Sequence, residues 1–168
     1  MDLRHRDLCD WGAHTYSECH GLAASREQHV PQWDREVVDP ETGAVRVEQA
    51  ILDVATADAR TGRALYYDFT VKAAHSDDPA RRRARAQRDG RAAADAAGAK
   101  RNRYSLAGPA LVPLPFEAGG RPAKETETFV RQCGSAHEDE LHTAILWQEC
   151  STLLQRGNAE LILSAIGV

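Results

Sequence analysis

The sequence has no long apolar run, no apolar stretch behind its first charged residues and no closely spaced cysteine pairs, and each absence excludes a class of protein. A transmembrane helix needs about 18 consecutive apolar residues, so we expect no membrane span. The first six residues, MDLRHR, do not lead into the apolar core of a secretory signal. We therefore expect a nuclear or cytoplasmic protein whose thiols are reduced, namely those of Cys9, Cys19, Cys133 and Cys150.

What the sequence does contain is a local excess of positive charge. The 168 residues have a net charge of −4, but residues 73–104 include nine basic and four acidic residues, so this segment carries +5 and the rest carries −9. Such a segment can bind nucleic acid, because phosphate contacts act locally and release counterions. The alternative is a solvated arginine-rich surface. The predicted phosphate contacts are Arg81, Arg82, Arg85, Arg88, Arg101 and Arg103.

The order of predicted elements indicates an α/β fold in which a small mixed β-sheet is flanked by helices. Residues 50–57 and 64–73 are predicted strands that pair antiparallel through a polar hairpin loop. Residues 1–30 are predicted to be a loop-rich segment that precedes an α/β domain over residues 31–168. The other predicted elements are a helix over 23–38 interrupted by Pro31, an Ala/Arg helix over 80–100, an edge strand with two prolines over 111–117, and helices over 125–133, 138–155 (capped by Gly157) and 159–166.

Two aspartates lie within the apolar strands of the predicted hairpin, Asp53 in the first strand and Asp68 in the second. An acidic side chain in an apolar strand costs free energy unless it is paired or binds a cation. Carboxylates on neighbouring strands can together hold Mg²⁺ or Mn²⁺, which activates a water and neutralises the charge of a phosphate. The alternative is that each aspartate is an ordinary strand-end or surface residue.

Three short motifs, the first of which begins at the second aspartate, come in a characteristic order. They are D-F-T-V beginning at Asp68, K-x-x-x-Y from Lys100 to Tyr104, and F-E-x-G-G beginning at Phe116. This order resembles the restriction-like endonuclease domain, a PD-(D/E)XK nuclease, of retrotransposons without long terminal repeats. The resemblance covers about residues 9–133. It implies a restriction-endonuclease-like fold and metal-dependent hydrolysis of DNA phosphodiester bonds, related to target-site nicking, with RNA or a reverse transcriptase module as further partners.

The resemblance assigns Asp53 and Asp68 to the metal ion, Lys100 to the attacking water or the transition state, and Tyr104 to positioning Lys100 or contacting phosphate. Lys72 competes with Lys100, because Lys72 lies on the same strand face as Asp68. Four residues along a strand span about 13 Å, however, which is too far for one metal-bound water to reach both. We therefore favour Lys100 as the catalytic lysine.

Two more acids are candidate metal ligands, and one position departs from the family's pattern. Glu48 could bind the metal through a water and Glu117 could approach from the third strand, whereas the alternative for both is surface charge. The proline that precedes the first acid in the family is Leu52 here. Proline takes no part in metal chemistry, so this departure affects the geometry of the strand rather than the ligands.

The N-terminal segment contains part of a zinc-binding pattern. His14 and Cys19 form H-x₄-C, which is similar to the second half of the zinc knuckle that precedes these nucleases, and Cys9 is the one cysteine available for the first half. A tetrahedral site needs a fourth ligand. The candidates for it are His5, His20 and His29, and His29 together with Arg26 also resembles the basic segment before the nuclease strands.

Two other classes of function remain open. The chain could be a nuclease-like domain without catalysis that serves as a nucleic-acid-binding or assembly module, because a fold does not prove an activity. It could also be an unrelated α/β domain whose arginine-rich helix binds a protein. Metal binding distinguishes the endonuclease from both, and salt-dependent DNA binding distinguishes the module from the unrelated domain.

Overall fold

The computed structural model describes residues 3–73, 75–137 and 141–166. Within these ranges it has five α-helices and six β-strands, and none of the helices is both long and apolar enough to cross a membrane. The helices are α1 (Leu3–His20), α2 (Pro79–Ala86), α3 (Arg91–Arg103), α4 (Lys124–Gly134) and α5 (His142–Ala165). The strands are β1 (Ser25–His29), β2 (Arg35–Val38), β3 (Val45–Glu48), β4 (Ile51–Ala57), β5 (Ala64–Lys72) and β6 (Leu111–Glu117).

Four strands form a mixed sheet in the order β1-β4-β5-β6, and β2 and β3 form a separate hairpin. Strand β4 pairs antiparallel with both β1 and β5, whereas β5 and β6 run parallel. A parallel pair needs a crossover connection, and α2 and α3 provide it. The predicted α/β class with a small mixed sheet is therefore confirmed, as is the antiparallel hairpin formed by β4 and β5.

Strand β6 lies at the edge of the sheet, as its two prolines predict. The backbone carbonyl of Pro115 accepts hydrogen bonds from Ala123 N at 3.0 Å and from Thr126 Oγ1 at 3.1 Å. A proline ring removes a donor but leaves the carbonyl available. The start of α4 is therefore bound directly to the edge strand.

The prediction that residues 1–30 are loop-rich is wrong, because α1 occupies most of them. The buried residues Leu8, Trp11 and Tyr16 of α1 belong to the same hydrophobic core as the sheet. Gly12 allows the close approach, since a Cβ at this position would lie 2.3 Å from Phe69 Cζ. The helix depends on tertiary packing more than on local signals, and for this reason the sequence pattern did not reveal it.

The helix predicted over residues 23–38 is also wrong. This segment contains β1, a 3₁₀ turn over Pro31–Trp33, and β2. Pro31 begins the turn, in which its fixed φ is favourable. The polar strand β1 then pairs at the sheet edge opposite β6, where its polar side chains remain partly in contact with solvent.

The Ala/Arg helix predicted over 80–100 is present as two helices, α2 and α3, with a break at residues 87–90. Gly90 adopts φ of +72° at the N-cap of α3, a left-handed conformation that glycine adopts without strain. No N-cap side chain satisfies the first turn of α3, but Glu117 Oε1 accepts a hydrogen bond from Ala92 N at 3.0 Å. Strand β6 therefore determines where α3 begins.

The predicted C-terminal helices are one continuous helix, α5, and the predicted cap at Gly157 is wrong. Gly157 is buried inside α5, and a Cβ there would lie 2.0 Å from Arg4 Cγ of α1. The glycine allows two helices to approach each other instead of ending one. The N-terminal part of the prediction, residues 138–140, lies outside the described residues.

The buried side chains form two clusters. The larger lies between the sheet and α1, α4 and α5, and it includes Phe69, Phe116 and Phe129. The smaller includes Leu52 and Tyr104 and lies under the 3₁₀ turn and the end of α3. Residues 3–30 thus share a core with the remainder of the described chain.

We predict that Gly12→Ala destabilises the protein. The added methyl must displace Phe69, and overpacking of this kind costs about 1–3 kcal/mol, more than the gain of at most about 1 kcal/mol from helix propensity. Gly98→Ala in α3 is the matched control, because no atom lies within 4 Å of the new Cβ and only the propensity gain remains. Urea unfolding measures both, and equal stability of the two variants would contradict the packing of α1 on Phe69.

Candidate active site

The first feature of the site is the point at which β4 and β5 separate. Their ladder ends at the pair Val54 and Tyr67, and Asp53 and Asp68 are the first residues beyond it. Both aspartates are buried, with 8% and 2% of their surface exposed. Their carboxyl groups are close enough for Asp53 to act on Asp68 by charge and by hydrogen bonding. The hairpin thus brings the two predicted acids together, although they are 15 residues apart in the sequence.

Beyond the end of the β4–β5 ladder, the Asp53 carboxylate binds a backbone N–H group of β5. Asp53 Oδ2 accepts a hydrogen bond from Phe69 N at 2.7 Å and lies 3.0 Å from His5 Nε2. His5 Nε2 is also 3.2 Å from the Phe69 carbonyl oxygen. Since both neighbours of Nε2 are acceptors, this nitrogen carries the hydrogen. The hydrogen bond to Asp53 raises the pKa of His5 against the opposing effect of burial.

His5 is a site residue that the sequence motifs did not reveal in this role. The sequence suggested His5 only as a zinc ligand, whereas in the structure it lies at the start of α1 beside Asp53. The signal for it is the i, i+4 pair of His5 and Cys9, whose Sγ lies 3.8 Å from the imidazole. That spacing is informative only once residues 3–20 are known to be a helix.

Asp68 is paired with Lys100 of α3. Lys100 Nζ lies 2.8 Å from each carboxylate oxygen, but only Oδ1 receives a well-directed hydrogen bond, and the buried Oδ2 receives none among the described residues. Burial raises the pKa of Asp68 to about 6; Lys100 opposes this rise and Asp53 adds to it. The nearby carboxylate and the incompletely satisfied oxygen together make this position unfavourable for negative charge.

The two candidate lysines lie at different depths. Lys100 contacts Asp68 directly, whereas Lys72 is at the exposed end of β5. Both line a groove of about 800 Å³, together with side chains of α2 and α3. Its cations are Lys72, Arg81, Arg85, Arg91, Lys100 and Arg103, and its one acid is Asp95. The Asp68–Lys100 pair is therefore next to a strongly basic groove.

The structure does not bring Tyr104, Glu48 and Glu117 to the carboxylates. Tyr104 ends α3, and its side chain is buried in the smaller cluster and is not among the residues that line the groove. Glu48 forms ion pairs with Arg35 and Arg103, and the hydrogen bond from Arg35 is the main cause of its lowered pKa. Glu117 instead accepts the hydrogen bond that caps α3. In the structure these three residues therefore make contacts other than those predicted for them.

The predicted phosphate-binding arginines fall into two groups. Arg81, Arg82 and Arg88 are exposed and lie on α2 or the break after it. Arg81 also forms an exposed ion pair with Asp78 at 3.4 Å. The other three are less exposed or bound to protein groups from other elements. Arg85 donates to the carbonyls of Ala73 and His75 with only 8% of its side chain exposed, Arg101 pairs with Glu125, and Arg103 pairs with Glu48.

The predicted zinc set of Cys9, His14 and Cys19 is not a cluster. Cys9 is buried beside His5, His14 forms an exposed pair with Glu18 at 3.3 Å, and Cys19 lies near His142 at the opposite end of α1. The prediction assumed a loop, whereas a helix of 18 residues separates positions 9 and 19 along its axis by about 15 Å. This zinc set is therefore wrong.

The paired carboxylates are suited to a hydrated divalent cation. The hydrogen bonds of Asp53 with Phe69 N and His5 Nε2 both involve Oδ2, and Asp68 Oδ2 lacks a directed donor among the described residues, so each carboxylate retains capacity for a further interaction. Two buried acids beside one lysine and a histidine leave a site in which an added cation would reduce the repulsion. Mg²⁺ prefers such oxygen ligands with waters completing its shell.

Comparison with known proteins gives no further assignment: no family model, no curated protein and no solved structure matches the chain. Its function must therefore be inferred from the chemistry of the residues that meet at this site.

We predict that Asp68 makes stability depend on pH in a defined window. Its pKa in the folded protein, about 6, is above its ordinary value of 3.8, so the folded state binds a proton that the unfolded state has released between these values. The contribution of Asp68 to the free energy of unfolding is therefore fully present below about pH 4 and is lost as the pH rises through about 6. Asp68→Asn should remove this part of the pH dependence, measured by urea unfolding across pH 4–7.

Asp77→Asn is the control for this experiment, since the Asp77 side chain is fully exposed. It should leave the shape of the stability curve unchanged. If the wild type and Asp68→Asn lost stability in parallel between pH 4 and 6, the buried, charge-repelled position of Asp68 would be contradicted.

Proposed function

We propose that this chain is a metal-dependent endonuclease that hydrolyses DNA phosphodiester bonds and has a restriction-endonuclease-like fold. The observation that carries the proposal is the convergence of Asp53, Asp68 and Lys100. They come from two strands and the crossover helix, and they meet beside a basic groove. The resemblance to the nuclease of retrotransposons without long terminal repeats named these same three residues in this order.

Asp53 and Asp68 would hold Mg²⁺ or Mn²⁺. The cation would supply an activated water and would neutralise charge on the scissile phosphate. Binding of the cation would displace the proton from Asp68, whose pKa burial raises to about 6. We therefore expect metal binding to weaken as the pH falls below 6, because protons and the cation compete for the same oxygens.

Lys100 would act on the phosphate. Its Nζ contacts the Asp68 carboxylate, and 29% of the Lys100 side chain is exposed. An entering phosphate oxygen is a second anionic partner for the same ammonium group, which has three donors. Negative charge that develops on the phosphate during hydrolysis then strengthens its contact with Lys100, so the lysine contributes most at the transition state.

His5 would be a positioning residue for Asp53. It donates to Oδ2 and so restricts the rotation of the carboxylate, while Phe69 N restricts it from the other side. Two donors on one oxygen leave the other oxygen to bind the cation. This arrangement is analogous to the outer hydrogen bonds that orient metal ligands in other proteins.

The groove would bind the DNA backbone without reading bases. Lys72 and Arg81 line it and are exposed, whereas Arg85 supports the loop after β5. In line with the retrotransposon resemblance, the reaction would be related to target-site nicking, with DNA as the main partner and RNA or a reverse transcriptase module as further partners. Such a function would be performed in the nucleus or the cytoplasm.

The second candidate is a nucleic-acid-binding or assembly module without catalysis. It is favoured by one observation, that Lys100 and His5 already partner the two acids without a metal ion. A domain without catalysis would keep these pairs as structural ones and would keep the basic groove. Nicking and metal binding therefore decide between the candidates, and DNA binding alone does not.

We predict that the purified chain nicks supercoiled plasmid DNA in Mg²⁺ or Mn²⁺ and that Asp68→Asn abolishes the reaction. Lys100→Ala should lower the rate by on the order of 100- to 1,000-fold, as is typical when one group that stabilises transition-state charge is removed. Lys72 lines the same groove, and Lys72→Ala removes the same charge. This variant is therefore the matched control, and it should lower the rate far less than Lys100→Ala does. The assay is the initial rate of conversion to open-circular DNA.

Two outcomes would contradict this assignment. A larger decrease in rate with Lys72→Ala than with Lys100→Ala would move the reacting phosphate away from Asp68. Absence of nicking in folded wild-type protein that binds DNA, combined with absence of Mn²⁺ binding by calorimetry, would favour the binding module.

We also predict that the groove determines how DNA affinity depends on salt. Removal of one cation that neutralises a phosphate should reduce the slope of log affinity against log salt by about 0.9. The double variant Lys72→Ala/Arg81→Ala should therefore flatten the slope by up to about 1.8 without changing sequence preference. The slope is measured by fluorescence anisotropy at several salt concentrations.

The control variant is Arg60→Ala/Arg63→Ala, which removes the same charge from the loop between β4 and β5. Since Lys72 ends β5 and Arg63 precedes its start, the two positions are separated by about 30 Å along the strand. Equal flattening in both double variants would show that net charge, and not the groove, determines binding.

A further inference from the structure

A group of nitrogen and sulfur side chains lies at the end of α1 opposite the candidate active site. Cys19 is in the last turn of α1, His137 follows α4, and His142 begins α5. One ligand atom from each lies within 4.8 Å of the others. The two imidazole rings have centroids 3.8 Å apart at 37°, and Cys19 Sγ lies 3.9 Å from His142 Nε2.

These separations are close to those within a tetrahedral zinc site. With zinc bonds of about 2.0–2.3 Å, the ligand atoms of such a site are about 3.3–3.8 Å apart. Small rotations of the side chains would therefore be enough to direct all three atoms at one ion. His137 is exposed and the other two are half-buried, so an ion can reach the group from solvent.

Cys133 provides a fourth donor beside this group. It lies near the end of α4, is fully buried, and is close enough to Cys19 for the two thiols to interact. Cysteine and histidine in equal number are a common ligand set for structural zinc, and thiolate and imidazole favour zinc over Mg²⁺. The chemistry of this group is thus distinct from that of the two aspartates.

We propose that Cys19, His137 and His142, with Cys133 as the fourth donor, form a structural zinc site that joins the ends of α1, α4 and α5. The site replaces the N-terminal set suggested by the sequence and shares only Cys19 with it. Cys19 is more than 100 residues away from the other three ligands in the sequence. Zinc would hold the far end of α1 in place, and α1 carries His5 at its other end.

The test uses the purified chain of 168 residues, with zinc and cobalt(II) as probes. We expect one equivalent of tightly bound zinc by elemental analysis. Cobalt(II) should give the intense visible bands of tetrahedral geometry and a thiolate-to-cobalt charge-transfer band. Zinc should raise the Tm of the metal-free protein, because an ion that binds only the folded state stabilises it. None of these measurements depends on nuclease activity.

The variants identify the ligands. His137→Ala changes an exposed side chain and should fold, yet it should lose the tetrahedral cobalt bands, and Cys19→Ser should lose thiolate charge-transfer intensity. Cys133→Ser should lower that intensity without abolishing it. The matched controls are Cys150→Ser, a buried thiol elsewhere on α5, and His14→Ala, an exposed histidine of α1. Both controls should retain full metal binding.

Three results would overturn the proposal. The first is wild-type protein, reduced and folded, that binds neither zinc nor cobalt. The second is retention of the cobalt spectrum in His137→Ala with its loss in His5→Ala, which would place the ion at the group of His5, Cys9 and Asp53. The third is a Cys19–Cys133 disulfide detected by mass spectrometry under conditions that preserve reduced Cys150.

Discussion

Two carboxylates buried beside each other repel, and this repulsion constrains how the surrounding elements must be arranged. Asp53 and Asp68 lie where β4 and β5 separate, so each must be neutralised by groups from outside the hairpin. One partner, Lys100, comes from α3 on the crossover, and the other, His5, comes from α1. Each of these helices therefore supplies a partner for one of the two acids, and Gly12 permits the close approach of α1 to the sheet.

The parallel pairing of β5 and β6 explains why the lysine comes from a helix. Parallel neighbours need a crossover, and that crossover passes over the sheet before the chain returns as β6. Glu117 of β6 then caps the start of α3, which determines the rotation and height of the helix that carries Lys100. A change at Glu117 would consequently act through α3 on the ion pair between Lys100 and Asp68.

The grouping of the two aspartates with Lys100 could be predicted from the sequence because it depends on the order of short motifs and on local pattern. Acids within apolar strands are conspicuous, and the distance of about 13 Å along β5 between Asp68 and Lys72 favours Lys100 as the partner of Asp68. The arginines were less predictable. Arg85 and Arg103 belong to the same basic segment as Arg82, but their long side chains reach carbonyls and acids that local sequence does not place nearby. Net charge therefore did not distinguish the exposed arginines of this segment from those that are paired with other protein groups.

By itself, the sequence determined the β4–β5 hairpin, the edge position of β6 and the helical character of the basic segment, because these depend on turn residues, prolines and alanines acting over a few positions. Only the tertiary structure decided that residues 3–20 are a helix, that Gly157 lies within α5, and that Cys19 lies beside His142 rather than with Cys9. These features arise from contacts between distant segments, where close packing outweighs weak local preference.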